Sequence, residues 1–321
     1  MTALVAPVTG TVTAPVDLAA AADRAAGLAE GARAEATRKA YRADWQHFEG
    51  WCRAQGLTAL PAAPATVGLY VAAYADRLAV ATLTRRLSSI AVAHRLTGHS
   101  LDTKHAAIRD VMRGLRREKG TAQRHAEALT VPLIRRVIDT CGSRLIDIRD
   151  KALLLVGFAA ALRRSELVAL TLDDVAVVPE GLRITIRRSK ADQDGAGEVL
   201  AVGRTGTVTC PVAAYENWIM TARIFDGRVF RAVTRHGHLR DKISTNAIAE
   251  IVQRRAALAG LDAQAFAGHS MRAGFATAAA TNGVEERVIM RQTRHKSAAT
   301  VRRYIRDGEL FRRNLSMEIG L

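Results

Sequence analysis

Residues 161–190 read ALRRSELVALTLDDVAVVPEGLRITIRRSK, and they decide the fold class. The stretch closes a strongly apolar run, Ala152–Ala161, and opens a second helix at Arg163-Arg164-Ser165-Glu166-Leu167. The pattern then changes period. Val175–Val178 and Leu182–Arg187 are short β-like runs separated by Pro179-Glu180-Gly181, and Val199–Val202 follows beyond Ala191–Gly197. Short β-branched runs punctuated by Pro and Gly read as neighbouring strands. Around them the spacing is helical, so the expected class is mainly α with a small antiparallel β-sheet.

Outward to the N-terminus, Tyr41, Trp45, Phe48, Trp51 and Cys52 recur at three- and four-residue steps, which predicts one amphipathic helix over 35–55, ended by Gly56. Pro61 and Pro64 mark a loop, and Ala65–Leu78 reads as a second helix. Thr82 is the expected cap of a third, with Leu83, Leu87, Ile90 and Val92 inward and Arg85 and Arg86 outward. Thr103–Lys119 makes a fourth, carrying Arg109, Arg113, Arg116, Arg117 and Lys119. This first third is a basic helical bundle. Gly120–Ala128 is polar and reads as a linker, Thr130 with Pro132 opens a new helix, and after Pro211 the chain returns to helices. The expected organisation is a flexible arm over 1–34, a helical domain over 35–119, a linker over 120–129 and a second domain over 130–321.

The chain's 321 residues fit two ordinary domains. Its 47 basic and 31 acidic residues give a net charge of +16, which implies a polyanionic partner, because each phosphate neutralised releases condensed counterions. Cys52, Cys141 and Cys210 form neither a disulfide framework nor a CxxC metal pair, which suits a reducing cytoplasm. No apolar run reaches the about 18 residues of a membrane span, so no membrane partner is expected. The Ala-rich start lacks the basic and apolar regions of a secretion signal.

Four polar clusters carry the chemistry. Arg163 and Glu166 lie three apart, so they share a helix face if both are helical. Arg187-Arg188-Ser189-Lys190 ends a strand and opens a glycine-containing turn. His269 and Arg272, in Gly268-His269-Ser270-Met271-Arg272, are again three apart, and Tyr304 follows His295 by nine residues. Alone, each is an ordinary surface feature. Together, two arginines, a lysine, two histidines and a tyrosine suit metal-free phosphoryl transfer. Two guanidiniums can fork onto the non-bridging oxygens of a phosphorane, an imidazole can take the phenol's proton, and a lysine can protonate the leaving oxygen. A phosphotyrosine bond conserves the energy of the cut strand, so no nucleotide cofactor is required. No tight Asp/Glu cluster suggests a two-metal site. The isolated pair His236 and His238 is a poor zinc site.

These residues resemble the tyrosine recombinase (phage integrase) family from Glu35 to the C-terminus. Leu162-Arg163-Arg164-Ser165-Glu166-Leu167 is similar to the motif of its first catalytic arginine, His269–Arg272 to its His-x-x-Arg box, His295 and Tyr304 to its last motif, and Lys190 to its β-hairpin lysine. Within the family the likeness is to Cre-like members, through Trp51-Cys52, Pro61-x-x-Pro64, Met112–Glu118 and Tyr304-Ile305-Arg306-Asp307. His295 departs from them, since they carry tryptophan there. The resemblance implies a helical core-binding domain and a mixed α+β catalytic domain closing as a C-clamp on DNA. Tyr304 would be the nucleophile; Arg163, Arg272 and His295 would bind phosphate; His269 would accept a proton, Lys190 would be the general acid and Glu166 would orient the site. It also implies double-stranded DNA with an inverted-repeat target site, a homotetramer exchanging strands through a Holliday junction, and a final helix, Leu310–Leu321, docked on a neighbouring protomer.

Lys39, Arg85 and Arg86 are candidates for DNA contact, on helices that face the major groove in Cre-like proteins, as are Ser244, Thr245 and Asn246 at the start of a later helix. Two rival functions use similar parts. One is a type IB topoisomerase relaxing DNA without partner exchange; the other is a catalytically silent DNA-binding accessory factor.

Overall fold

The computed structural model describes residues 17–21, 23–24, 35–120, 126–187, 197–295, 297–309 and 319. Contacts within the chain divide it into two compact units, Met1–Arg124 and His125–Leu321. The expected arm over 1–34 lies largely outside the described residues, and so does the final helix over 310–321 apart from Ile319.

The first unit holds α1 (Glu35–Ala54), α2 (Pro64–Ala73), α3 (Val80–Leu96) and α4 (Ala106–Lys119). α1 packs on α3 and α2 on α4, around a core that includes Phe48, Cys52, Tyr70, Leu83, Ile90 and Met112. Two boundaries differ from the sequence reading. α2 stops at Ala73, because the chain must reverse before α3 and turn bonds such as Leu78 N–H to Tyr74 O take over. α3 starts three residues early, with Ala79 as its cap and Thr82 already inside the first turn.

Arg86 is turned inward. Steps of three and four residues from Leu83 pass through position 86 to Ile90 and His94, so Arg86 lies on the buried stripe. Its guanidinium donates to Tyr70 Oη at 2.6 Å and to His47 Nδ1 at 3.0 Å, and lies 3.6 Å from the buried Asp44 carboxylate. His94, fully buried, is held at both ring nitrogens: Nδ1 donates to Ile90 O and Nε2 accepts the Ala62 N–H. This bundle core is therefore partly polar, and each polar group in it constrains a neighbouring helix.

The second unit starts with α5 (Val131–Asp139), α6 (Leu145–Ala159) and α7 (Arg164–Ala169). Three strands follow, β1 (Val175–Val178), β2 (Gly181–Ile186) and β3 (Glu198–Gly203), then α8 (Pro211–Thr221), α9 (Thr245–Leu258), α10 (Ser270–Thr281), α11 (Glu286–Thr293) and α12 (Ala298–Glu309). The strands form one antiparallel sheet in the order β1-β2-β3, with Ile184 opposite both Val175 and Leu200. On β2, Leu182, Ile184 and Ile186 are buried while Arg183 and Thr185 face out, the period-two pattern of a sheet covered on one side.

α6 is apolar on nearly every side and packs against α8 and α10, so the second core is built around it. Trp218 of α8, fully buried, satisfies its indole by donating to Val229 O at 2.8 Å. The charges that α6 does bury, Asp147 and Asp150, are matched by Arg255 of α9: its Nη2 reaches Asp147 at 2.5 Å and its Nε reaches Asp150 at 2.8 Å. A hydrogen bond from Arg144, with further help from Arg255, pulls the Asp147 carboxyl down to about 2. No described helix is long and apolar enough to cross a membrane.

The segment entering this unit is tied to α10. Glu127 N–H donates to Ala265 O and Leu129 N–H to Ser270 O. The Leu129 backbone crosses α10 so closely that a Cβ on Gly274 would lie 2.0 Å from Leu129 O. Helix propensity alone would favour alanine there by about 1 kcal/mol. The clash reverses the sign, so Gly274→Ala should destabilise the protein by about 1–3 kcal/mol in denaturant melts. A variant as stable as wild type would show that the approach is not tight.

Candidate active site

Two left-handed backbone positions and one close-packed loop organise the polar centre of the second unit. After α6 the chain passes through Ala161 at φ 47° and drops into α7 at Arg163. After α11 it passes through Arg294 at φ 54° and ψ 45°, then enters α12. Between these, the loop before α10 packs Gly268 against Arg164, where a Cβ would meet Arg164 Cδ at 2.0 Å. Non-glycine residues in the left-handed region cost energy and persist only where the surroundings hold them, commonly at functional sites.

Glu166 is the hub. Its Oε1 accepts from Arg163 Nη1 at 2.6 Å, and its Oε2 accepts from the Arg163 N–H at 2.8 Å and from Arg294 Nη2 at 2.5 Å. Arg163 Nη2 also donates to Arg294 O at 3.0 Å. Arg272, on the first turn of α10, donates from Nη1 to Ala161 O at 2.7 Å, while its buried Nη2 has no hydrogen-bond partner. Two guanidiniums thus share one carboxylate with a third, Arg272, close by, and Arg294 Nε also lies 3.7 Å from Glu198. Burial first, then Arg163 and Arg294, push Arg272 down to about 9. Burial works against the charge on Glu166, but Arg294 and Arg163 outweigh it and hold the carboxyl below its usual range.

His295 follows directly. Thr293 Oγ1 donates to Ile289 O, so its lone pair takes the His295 Nδ1–H at 2.8 Å, leaving Nε2 as the basic nitrogen. Burial, then Arg272, Arg163, Arg294 and Arg303, push the imidazole down to about 4. The ring of Tyr304, on α12, has its centroid 6.1 Å from that of His295, and the Arg303 guanidinium lies 5.6 Å from the Tyr304 centroid. Tyr304 packs with Ala276, Ala280 and Ile289 at the junction of α10, α11 and α12. Between about pH 6.5 and 4 the unfolded chain takes up a proton at position 295 that the folded site resists, so stability falls as pH drops through that window. His295→Asn should lose less stability than wild type between pH 7 and 5 in urea titrations; parallel losses would refute the neutral imidazole.

The structure brings Arg163, Glu166, Arg272 and His295 into one charged cluster beside Tyr304. His269, the residue before α10, is exposed, whereas Arg272 on its first turn is buried. Lys190 lies outside the described residues. Arg294 carried no site role in the sequence reading; its left-handed backbone and partner 128 positions away leave no periodic signal. Among the candidates for DNA contact, Lys39 is exposed on α1, Arg85 is half-exposed and paired with Asp44 at 3.0 Å, and Arg86 is engaged inside its bundle. Ser244 caps α9 through Ala247 N–H, with Thr245 and Asn246 exposed on the same first turn. Among the described residues no group of three or more His, Cys, Asp or Glu could hold a metal ion.

The phage integrase family model matches residues 127–309. An integrase/recombinase, the xerD homolog of Selenomonas ruminantium, is 41% identical over 291 residues, covering 89% of this chain and 85% of that protein. The recombinase cre of Escherichia phage P1 is 27% identical over 85% of this chain and 82% of its own. In fold the chain is similar to the Tn1549 transposon integrase, solved with transposon right end DNA (TM-score 0.61, 12% identity, 90% of this chain and 97% of that one). It is also similar to the XerH recombinase, solved in a post-cleavage complex with its difH substrate (TM-score 0.59, 14% identity, 79% and 71%). Family match, long relatives and shared fold agree: the chain belongs to the phage integrase family and is a tyrosine recombinase.

Proposed function

We propose that Tyr304 is the nucleophile that cuts and rejoins double-stranded DNA. The Tyr304 oxygen bonds to the scissile phosphorus, the bond to the 5′ oxygen breaks, and a 3′-phosphotyrosine and a free 5′ hydroxyl result. His269 takes the phenol's proton and Lys190 supplies one to the leaving oxygen. Arg163 and Arg272, with His295, grip the non-bridging oxygens. Glu166 orients the arginines. The observation that carries this reading is the under-neutralised pocket itself. Arg163 and Arg294 share Glu166, and Arg294 also lies 3.7 Å from the half-exposed Glu198. Arg272 makes no ion pair among the described residues, its buried Nη2 without a hydrogen bond and Tyr304 near it. Such a site lacks one anion, and a phosphate supplies it.

The same reading extends to assembly. Four copies on two inverted-repeat sites exchange strands through a Holliday junction, the 310–321 segment reaching a neighbouring copy. The first unit, 35–119, and the first turn of α9 contact DNA; Lys39, Arg85, Thr245 and Asn246 keep exposed side chains for this, with Ser244 and Arg86 contributing from capped and inward positions. The experiment is covalent trapping. Duplexes selected for binding from a random pool, nicked next to the cut position, should accumulate an adduct whose peptide map places the nucleotide on Tyr304. Nicking or relaxation of plasmid lacking any selected site would favour a topoisomerase, and binding without adduct an accessory factor.

A further inference from the structure

We infer that Arg294 is a positioning residue for phosphate binding, fixing Arg163 and Arg272 relative to each other before DNA arrives. The inference rests on the proposed Tyr304 chemistry and adds a residue to it. Arg294 acts at both ends. Its main-chain oxygen accepts from Arg163 Nη2 at 3.0 Å, and its Nη2 holds Glu166 at 2.5 Å, the carboxylate that grips the other nitrogen of Arg163. The same Nη2 lies 3.5 Å from Ala161 O, the acceptor that anchors Arg272 at 2.7 Å. One residue therefore touches the anchors of both phosphate-binding guanidiniums.

Its backbone supports the assignment. Position 294 is in the left-handed region, where a bulky side chain is disfavoured and glycine is at ease, yet an arginine buried to 4% exposure stands there. Ala161, the other left-handed residue of the site, supplies the shared acceptor. Backbone strain at both anchors and a buried cation whose Nε makes no hydrogen bond, with only the half-exposed Glu198 at 3.7 Å, are unfavourable for folding alone. They are explained if the arrangement serves substrate. Arg294 also adds a third positive charge, and it is among the cations that depress Arg272 and His295.

Arg294→Gly is the decisive variant, because glycine keeps the backbone conformation and removes only the guanidinium. In the full chain it should melt near wild type, bind the selected duplex within about threefold, and form the Tyr304 adduct about tenfold or more slowly in single turnover. Added guanidinium ion at millimolar concentration should restore much of that rate. Arg294→Lys, which keeps the charge but cannot span Glu166 and Ala161 together, should lie between the two. The His295 imidazole, followed by NMR, should titrate higher in Arg294→Gly. Wild-type cleavage by Arg294→Gly, or a loss that guanidinium does not reverse, overturns the inference while the Tyr304 reading stands. A wild-type chain that forms no adduct overturns both.

Discussion

Tyr304→Phe should bind the selected duplex with unchanged affinity and form no covalent adduct at all. The substitution removes one oxygen from a ring that packs with Ala276, Ala280 and Ile289, so the junction of α10, α11 and α12 keeps its shape. Among the described residues Tyr304 is the one tyrosine within this cluster. Tyr304 sits beside the guanidinium cluster, whereas Tyr41, Tyr70 and Tyr74 belong to the first unit, and Tyr215, on α8, is buried with its hydroxyl pushed up to about 12 by desolvation. Adduct yield on nicked duplex, read on denaturing gels, is the measurement. A Tyr304→Phe protein that still became covalently linked to DNA would move the nucleophile elsewhere.

Arg163→Ala and Arg272→Ala should each lower the single-turnover rate by about a hundredfold to a thousandfold, the usual effect of removing one donor to transition-state charge. Duplex affinity should change far less, since many other cations of this +16 chain meet phosphate. Stability separates the two variants. Arg163→Ala leaves Glu166 with two of its three donors, so some destabilisation accompanies the kinetic loss. Arg272→Ala removes a guanidinium that burial and two like charges already push down to about 9, so the fold gains back part of what the lost Ala161 bond contributed. Normal rates in either protein would remove the phosphate grip from these residues.

Much of this was legible in the sequence where one physical rule acted alone. The three strands fall within a residue of their predicted spans, because Pro179 and Gly181 on one side and the period-two burial of β2 on the other leave little freedom. The three-residue step from Arg163 to Glu166 found a real pair, but by another route than a shared helix face: Arg163 is the extended cap of α7 and Glu166 its third residue. What failed did so where rules competed. Arg86 was placed outside because it is charged, although its position lies on the stripe of Leu83, Ile90 and His94; Tyr70, His47 and Asp44 make that burial tolerable, and they come from other helices. His269 and Arg272 are three apart, but His269 is the exposed cap before α10 and Arg272 is enclosed, so spacing alone leaves their joint role a proposal. Arg294 could not be found by spacing at all. Its role depends on a turn and on a carboxylate 128 residues upstream, which only tertiary structure brings together.

The orphan nitrogen of Arg272 in that crowded cationic pocket has a thermodynamic corollary. An anion that enters it does more than present a bond to be cut, because it relieves repulsion the folded chain otherwise tolerates. By mass action, any ligand that binds only the native state stabilises it by RT ln(1 + L/Kd), where L is the free ligand concentration, an amount that grows even past saturation. If phosphate fills that pocket as proposed, substrate is also a stabilising ion for this half of the molecule, and the recombinase should be at its most robust while it sits on DNA.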